Sequence, residues 1–182
     1  MQQQIQQKET GAIAFRYGLI WGGIFAGLQV IVLVVNDFDS VGYAATVANL
    51  FNLLLSLALF FLVGMLSARQ TGQVSRGSMA GYFAGTMGGL LGLIAQLIVV
   101  QFAVDSLRVR TQETANMLNL GFQYNNDAVF AGMIFNAVVG WLFAIGLGAG
   151  MGALGGLLGR KQAKVPAVAR YTAPVPPPRR PQ

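Results

Sequence analysis

Four long apolar segments dominate the pattern of hydrophobic and polar positions along this chain. Their approximate limits are 12–35, 43–68, 79–104 and 129–158. Each is longer than the ~20 residues that an α-helix needs to cross the hydrocarbon core of a bilayer. The pattern predicts an all-α fold, an integral membrane bundle of four transmembrane helices within residues 12–158.

The first segment differs from a cleavable signal peptide, although Lys8 and Arg16 precede its apolar core. A signal peptide has an apolar core of about 7–15 residues, which a small-residue cleavage site follows. The apolar run here is longer and no such site closes it. We therefore interpret it as an uncleaved span.

Basic residues are distributed unevenly between the two sides of the predicted bundle. Ten of the twelve Lys and Arg residues fall on one side: Lys8, Arg16, Arg69, Arg76, Arg160, Lys161, Lys164, Arg170, Arg179 and Arg180. Short loops rich in Lys and Arg stay in the cytoplasm. We therefore expect the protein to reside in the plasma (inner) membrane with both termini in the cytoplasm. The 36–42 and 105–128 connections would then lie outside.

The segments outside the spans receive three further predictions. Residues 1–11 form a polar cytoplasmic lead. In the external loop 105–128, residues 111–121 are typical of a short helix with Thr111 as its N-cap, or alternatively of a solvated connector. Residues 159–182 are rich in proline and basic residues, which predicts a disordered cytoplasmic tail that attracts anionic lipid headgroups.

Composition argues against catalysis and against a nucleic-acid partner. Only 10% of the 182 residues are charged, against about 25% in soluble domains. The chain has no Cys and no His, so it lacks the usual nucleophile, general base and metal ligands. The net charge of +6 comes from residues that flank the apolar spans, not from a basic face. We expect no enzyme activity, no catalytic residue, no cofactor, no metal site and no nucleic-acid binding.

Side-chain amides recur at one depth in the predicted bundle. At ~1.5 Å per residue, all of them fall about 9–14 Å below the outer boundary of their spans: Gln29, Asn49, Asn52, Gln96 and Asn136. Lipid cannot satisfy the donors and acceptor of an amide. We therefore predict that the five meet inside the bundle as a polar layer.

Small residues recur at helical spacing on three of the spans. The glycines predicted to pack helices are Gly18, Gly22, Gly81, Gly85, Gly92, Gly140, Gly148, Gly152 and Gly156. Small residues let helix backbones approach closely in lipid. We expect spans one, three and four to form a tight core on the cytoplasmic side. Span two, with Phe60 and Phe61 facing lipid or the flank of the bundle, is predicted to pack outside this core and to contact it mainly through its outer half.

Two functions fit these patterns. The preferred interpretation is a non-catalytic structural or accessory subunit in the lipid bilayer, in which the amides join the helices. Its glycine faces, Gly148, Gly152 and Gly156 among them, would also assemble it with copies of itself or with another membrane protein. The alternative is a small channel or transporter for a neutral polar solute, with the amide layer as its site.

Overall fold

The computed structural model describes residues 2–38 and 43–163, and every regular element within them is an α-helix. The four helices are α1 (Gln2–Phe38), α2 (Tyr43–Thr71), α3 (Val74–Met117) and α4 (Asn126–Lys161). Each contains a segment long and apolar enough to cross a membrane: Gly11–Leu33, Thr46–Thr71, Val74–Phe102 and Asn126–Lys161. The prediction of an all-helical chain with four candidate spans is confirmed, and it indicates an integral membrane protein.

The helices pack as a bundle in which α1 contacts α3, α3 contacts α4, α4 contacts α2, and α2 contacts α1. Helix α2 also contacts α3, whereas within the described residues the backbones of α1 and α4 do not come close to each other. We call the end where α1 and α3 finish and α2 and α4 begin the loop end. The opposite end, where α2 gives way to α3 and α4 finishes, is the terminus end.

Local chemistry explains where the helices begin and end. Helix α2 ends before Gly72, whose φ of +70° lies in the left-handed region that glycine adopts without strain. Helix α4 begins after Asn125, whose side chain accepts a hydrogen bond of 2.8 Å from the Ala128 N–H. Arg160 and Lys161 lie in the last turn of α4, where positive charge complements the helix dipole.

Helix α3 continues well past its apolar segment, so the loop expected at 105–128 is shorter and holds no separate helix at 111–121. The helix runs unbroken to Met117, and the Thr111 hydroxyl donates to the Leu107 carbonyl (2.8 Å) instead of capping a new helix. No Gly or Pro interrupts residues 103–117. At ~1.5 Å per residue, these 15 residues extend α3 by about 22 Å beyond Phe102.

A C-terminal cap centred on Asn119 ends α3. Asn119 has a φ of +52°, and its N–H donates to the Asn116 carbonyl (3.1 Å). The next N–H, of Leu120, donates to the Ala115 carbonyl at 3.0 Å. This is the hydrogen-bond pattern of a Schellman motif, with asparagine where glycine is more usual.

The predicted terminal segments are described only in part. Helix α1 begins at Gln2, so residues 2–11 of the predicted polar lead form the first turns of that helix. Residues 164–182 of the predicted tail lie outside the described residues, as do residues 39–42 of the α1–α2 connection.

Glycines bring α3 and α4 into backbone contact in the half of the bundle nearer the terminus end. A Cβ atom added at Gly81 would overlap the Gly148 carbonyl, and one at Gly148 would overlap the Gly81 carbonyl. A Cβ added at Gly152 would lie 2.7 Å from the Gly77 carbonyl oxygen. These glycines contact one another within a single chain.

The prediction that α2 packs outside the core is wrong. A Cβ added at Gly64 of α2 would overlap the backbone of Gly152, and Gly155 of α4 packs in the same way on the Phe61 carbonyl. Phe60, expected to face lipid or the flank of the bundle, is 1% exposed. Helix α4 presents glycines on two faces, one towards α3 and one towards α2. The tight core at the terminus end therefore joins α2, α3 and α4.

Helix α1 packs on α3 through its own small residues. Gly18 lies against Ala80 and Phe83, and Gly22 lies against Ala84 and Met87. Small side chains on both helices thus allow close parallel packing of α1 and α3.

Candidate functional site

A cavity of about 350 Å³ lies between the four helices, in the half nearer the loop end. All five side-chain amides singled out in the sequence line it: Gln29 from α1, Asn49 and Asn52 from α2, Gln96 from α3 and Asn136 from α4. Every helix thus contributes a carboxamide to one space.

Small residues in its wall help to create this space. Gly92, Gly140 and Ala144 are among the residues of its wall. A Cβ added at Gly140 would meet nothing within 4 Å, and one at Gly92 would meet only the Gln29 side chain, at 3.6 Å. These two predicted packing glycines therefore differ from the glycines of the terminus-end half, which contact the backbones of neighbouring helices.

One pair of amides joins two helices across the cavity wall. The Gln29 Nε2 donates to the Asn52 Oδ1 at 3.4 Å, and the Asn52 Nδ2 donates back to the Gln29 Oε1 at 3.3 Å. Ser56, one turn further along α2 and 5% exposed, donates to the Asn52 carbonyl at 2.6 Å. The two amide–amide bonds exceed the usual 2.7–3.2 Å, so each stabilises the contact of α1 with α2 only weakly.

The amides of Gln96 and Asn136 are open to the cavity. Within the described part of the chain, neither side chain makes a hydrogen bond. Gln96 is half-buried and Asn136 is exposed. A dry layer in which every amide has a protein partner is therefore not formed, and the donors and acceptors of these two side chains face the cavity space.

Aromatic side chains form the base of the cavity, and the sequence patterns did not single them out for this position. Trp141 lines it, and its Nε1 donates to the Thr86 carbonyl at 3.1 Å. Phe25 also lines it, is 4% exposed, and packs on Phe60 with ring centroids 4.9 Å apart. A tryptophan or phenylalanine at helical spacing is typical of any membrane helix, so only the tertiary structure identifies these two.

The half of the bundle below these aromatic rings is closed. Val63, Ala80 and Ala84 are at most 1% exposed there. The glycine contacts between α2, α3 and α4 lie in the same half of the bundle. The cavity therefore ends blindly towards the terminus end. Its most exposed amides, Asn49 and Asn136, lie towards the loop end.

The lining chemistry is polar but uncharged. Among the residues that the structure describes, no Asp, Glu, Lys or Arg lines the cavity. Within the same described residues, no three His, Cys, Asp or Glu side chains lie together as metal ligands. The cavity thus offers hydrogen bonds and apolar contacts, without an acid, a base or a nucleophilic thiol.

A second, shallower cleft of about 690 Å³ lies beside the projecting end of α3. Gln112 holds its wall together, because its Nε2 donates to the Phe122 carbonyl (2.9 Å) and its Oε1 accepts from the Tyr124 N–H (2.8 Å). Asn126 then donates to Asp105 at 3.0 Å, which fixes the start of α4 against α3. These bonds fold the α3–α4 connection back onto the projection.

Comparison of the chain with models of known protein families, with curated proteins and with solved structures found no match. The chemistry of the amide-lined cavity is therefore the basis on which a function can be inferred.

Proposed function

We propose that this protein is a non-catalytic membrane protein that binds a small, uncharged polar molecule in the amide-lined cavity. The observation that carries the proposal is the convergence of five carboxamides, from all four helices, on one space of about 350 Å³. A pocket of this size falls within the ~300–1,000 Å³ usual for small-molecule sites.

The absence of charge from the described lining favours a neutral ligand. An ion that leaves water for this cavity would lose its hydration without meeting a counter-charge, which is costly at membrane depth. A neutral molecule needs only hydrogen bonds, and Gln96 and Asn136 have unused donors and acceptors.

The closed terminus-end half favours binding over conduction. A channel needs a continuous path, and the core around Val63, Ala80 and Ala84 leaves none in this conformation. Transport would require α2, α3 and α4 to separate at contacts in which backbone meets backbone. We therefore prefer a binding protein to a channel or transporter. A channel or transporter would give solute flux across the membrane of proteoliposomes, whereas a protein that only binds the solute would give none.

We further propose that the loop end faces outwards and that both termini lie in the cytoplasm, with the plasma membrane as the site of residence. Arg16, Arg69, Arg76, Arg160 and Lys161 all belong to the terminus end, which supports this orientation by the positive-inside rule. The cavity would then accept its ligand from outside. The basic residues of the tail would add weak attraction to anionic headgroups.

A structural or accessory role is the second candidate. The Gln29–Asn52 pair favours it, because a reciprocal amide bond between helices is the usual polar link in membrane bundles. If this alternative holds, added solutes leave the free energy of unfolding unchanged. Each amide hydrogen bond between helices then contributes only the ~0.6 kcal/mol to that free energy that is typical of such bonds.

Ligand-dependent stabilisation distinguishes these candidates. We would follow thermal unfolding of the purified protein in detergent with a panel of uncharged polar solutes. A solute present at 100 times its Kd raises the free energy of unfolding by about 2.7 kcal/mol. We expect stabilisation of the wild-type chain and its loss in the double variant Gln96→Leu, Asn136→Leu.

The matched control is Gln101→Leu, because Gln101 is an exposed amide on α3 outside the cavity lining. This variant should respond to the solute as the wild type does. Equal stabilisation of the wild type and the double variant would refute the cavity as the binding site.

A further inference from the structure

The base of the cavity differs chemically from its rim. The only indole donor of Trp141 is already used, since Nε1 donates to the Thr86 carbonyl at 3.1 Å. The ring therefore offers the cavity apolar surface and no further hydrogen bond. Gly89 makes room for it, because a Cβ added there would lie 2.6 Å from the Trp141 Cδ1.

The rim above this base carries the unused amides. Gln96 and Asn136 each present two N–H donors and a carbonyl acceptor to the space. A lipid acyl chain would satisfy the base and leave these amides without partners. A cluster of water would satisfy the amides and leave the indole surface hydrated.

We propose that the cavity is a site for one uncharged ring, which lies with an apolar face on Trp141 and directs a hydrogen-bonding edge to Gln96 and Asn136. This inference rests on the proposed function and specifies its ligand class. Neutral monosaccharides and nucleobases both have this combination of a flat or ribbed apolar face and a polar edge. The volume of about 350 Å³ is at the small end of ligand sites, which fits a single ring.

Tryptophan fluorescence tests this inference directly, because Trp21 and Trp141 are the two tryptophans of the chain. The Trp21→Phe variant leaves Trp141 as the sole indole emitter. We would titrate it in detergent with glucose and with uracil, and in parallel with their open-chain counterparts sorbitol and methylurea.

We expect a saturable change of Trp141 emission with at least one ring probe, at a concentration roughly tenfold or more below that of its open-chain counterpart. Equal responses to the ring and the open-chain probe would overturn the inference. So would the absence of any response to all four probes.

A second measurement separates failure of the ring inference from failure of the proposed function. Leu93 lines the cavity without contributing a polar group, so a Leu93→Cys variant reports occupancy through protection from a thiol reagent. Equal protection by ring and open-chain probes refutes the ring inference and supports the proposed function. No protection by any of the four overturns both.

A Gly89→Ala substitution in the same Leu93→Cys background completes the test. Its Cβ displaces the indole by direct contact, so we expect ring probes to protect roughly tenfold less well, while any protection by open-chain probes is unchanged. Unchanged protection by the ring probes would contradict the assignment of Trp141 as their platform.

Discussion

Replacement of Gly152 with alanine tests the packing that closes the terminus end of the bundle. The new Cβ would lie 2.7 Å from the Gly77 carbonyl oxygen, which is 0.7 Å closer than the 3.4 Å at which ordinary contact begins. Gly77 cannot withdraw easily, because it is itself tightly packed: a Cβ added there would lie 2.7 Å from the Gly64 carbonyl oxygen and 2.8 Å from the Gly156 Cα. Overpacking of this kind costs about 1–3 kcal/mol.

Gly150 provides the matched control for this substitution. It lies two residues away on α4, and a Cβ added there meets nothing within 4 Å. Both substitutions gain the same helix propensity, ~1 kcal/mol from glycine to alanine. The difference in the free energy of unfolding between Gly152→Ala and Gly150→Ala therefore isolates the clash, and we expect it to be about 1–3 kcal/mol.

Unfolding in mixed micelles with increasing sodium dodecyl sulfate, followed by circular dichroism, measures this difference. We expect Gly150→Ala to unfold at the wild-type midpoint or above it, and Gly152→Ala clearly below that of Gly150→Ala. Equal midpoints for the two variants would refute the close backbone contact of α4 with α3 at Gly152.

Three further tests concern the Gln29–Asn52 pair, the N-cap of α4 and the C-terminal cap of α3. Gln29→Leu breaks the pair with Asn52 and should lower the free energy of unfolding by about 0.6 kcal/mol. Gln96→Leu breaks no hydrogen bond and should lower it by less. Similar losses for the two variants in sodium dodecyl sulfate titrations would contradict this difference. Asn125→Ala removes the N-cap of α4 and should cost about 1 kcal/mol, with Asn125→Asp close to the wild type in the same titration. Asn119→Val should destabilise the last turn of α3, because a β-branched residue resists a φ of +52°. Amide hydrogen exchange in this turn should then be faster than in the wild type, and an unchanged exchange rate would argue against the cap.

The four spans could be predicted from the sequence because apolar length alone decides them. Helical rise is nearly constant, so counting residues from each span boundary also located Gln29, Gln96 and Asn136 at a common level. All three line the same cavity. The positions of polar residues along straight helices are therefore accessible from the sequence.

The choice of helix neighbours could not be predicted in this way. A spacing of four along α4 indicates one face, whereas Gly155 and Gly159 form a second face that contacts Phe61 and Met65 of α2. Gly64 is the single glycine in the half of α2 that packs on α4. The other small residues of this contact belong to α4. Complementarity between two helices is a property of the pair, so it is not visible in either helix alone.

The extension of α3 and the role of Trp141 could not be predicted either, for two different reasons. Residues 105–117 have helix-forming composition and continue the helix of the span. The change from apolar to charged residues at Asp105 marks the end of the apolar segment, but it does not end the helix. Trp141 donates to a backbone carbonyl of another helix, that of Thr86. A bond to a backbone carbonyl requires no particular side chain and leaves no sequence signature.

Accessibility of the cavity is the most direct test of the account, and the chain has no native cysteine to interfere. We would compare single-cysteine variants Gln96→Cys and Val100→Cys in intact cells with a membrane-impermeant thiol reagent added from outside. Val100 lies one turn nearer the loop end on the same helix, yet it is 1% exposed. We expect fast labelling at position 96 and slow labelling at position 100. Labelling only after detergent denaturation at position 96, or faster labelling at position 100, would contradict the proposed polar cavity that opens outwards.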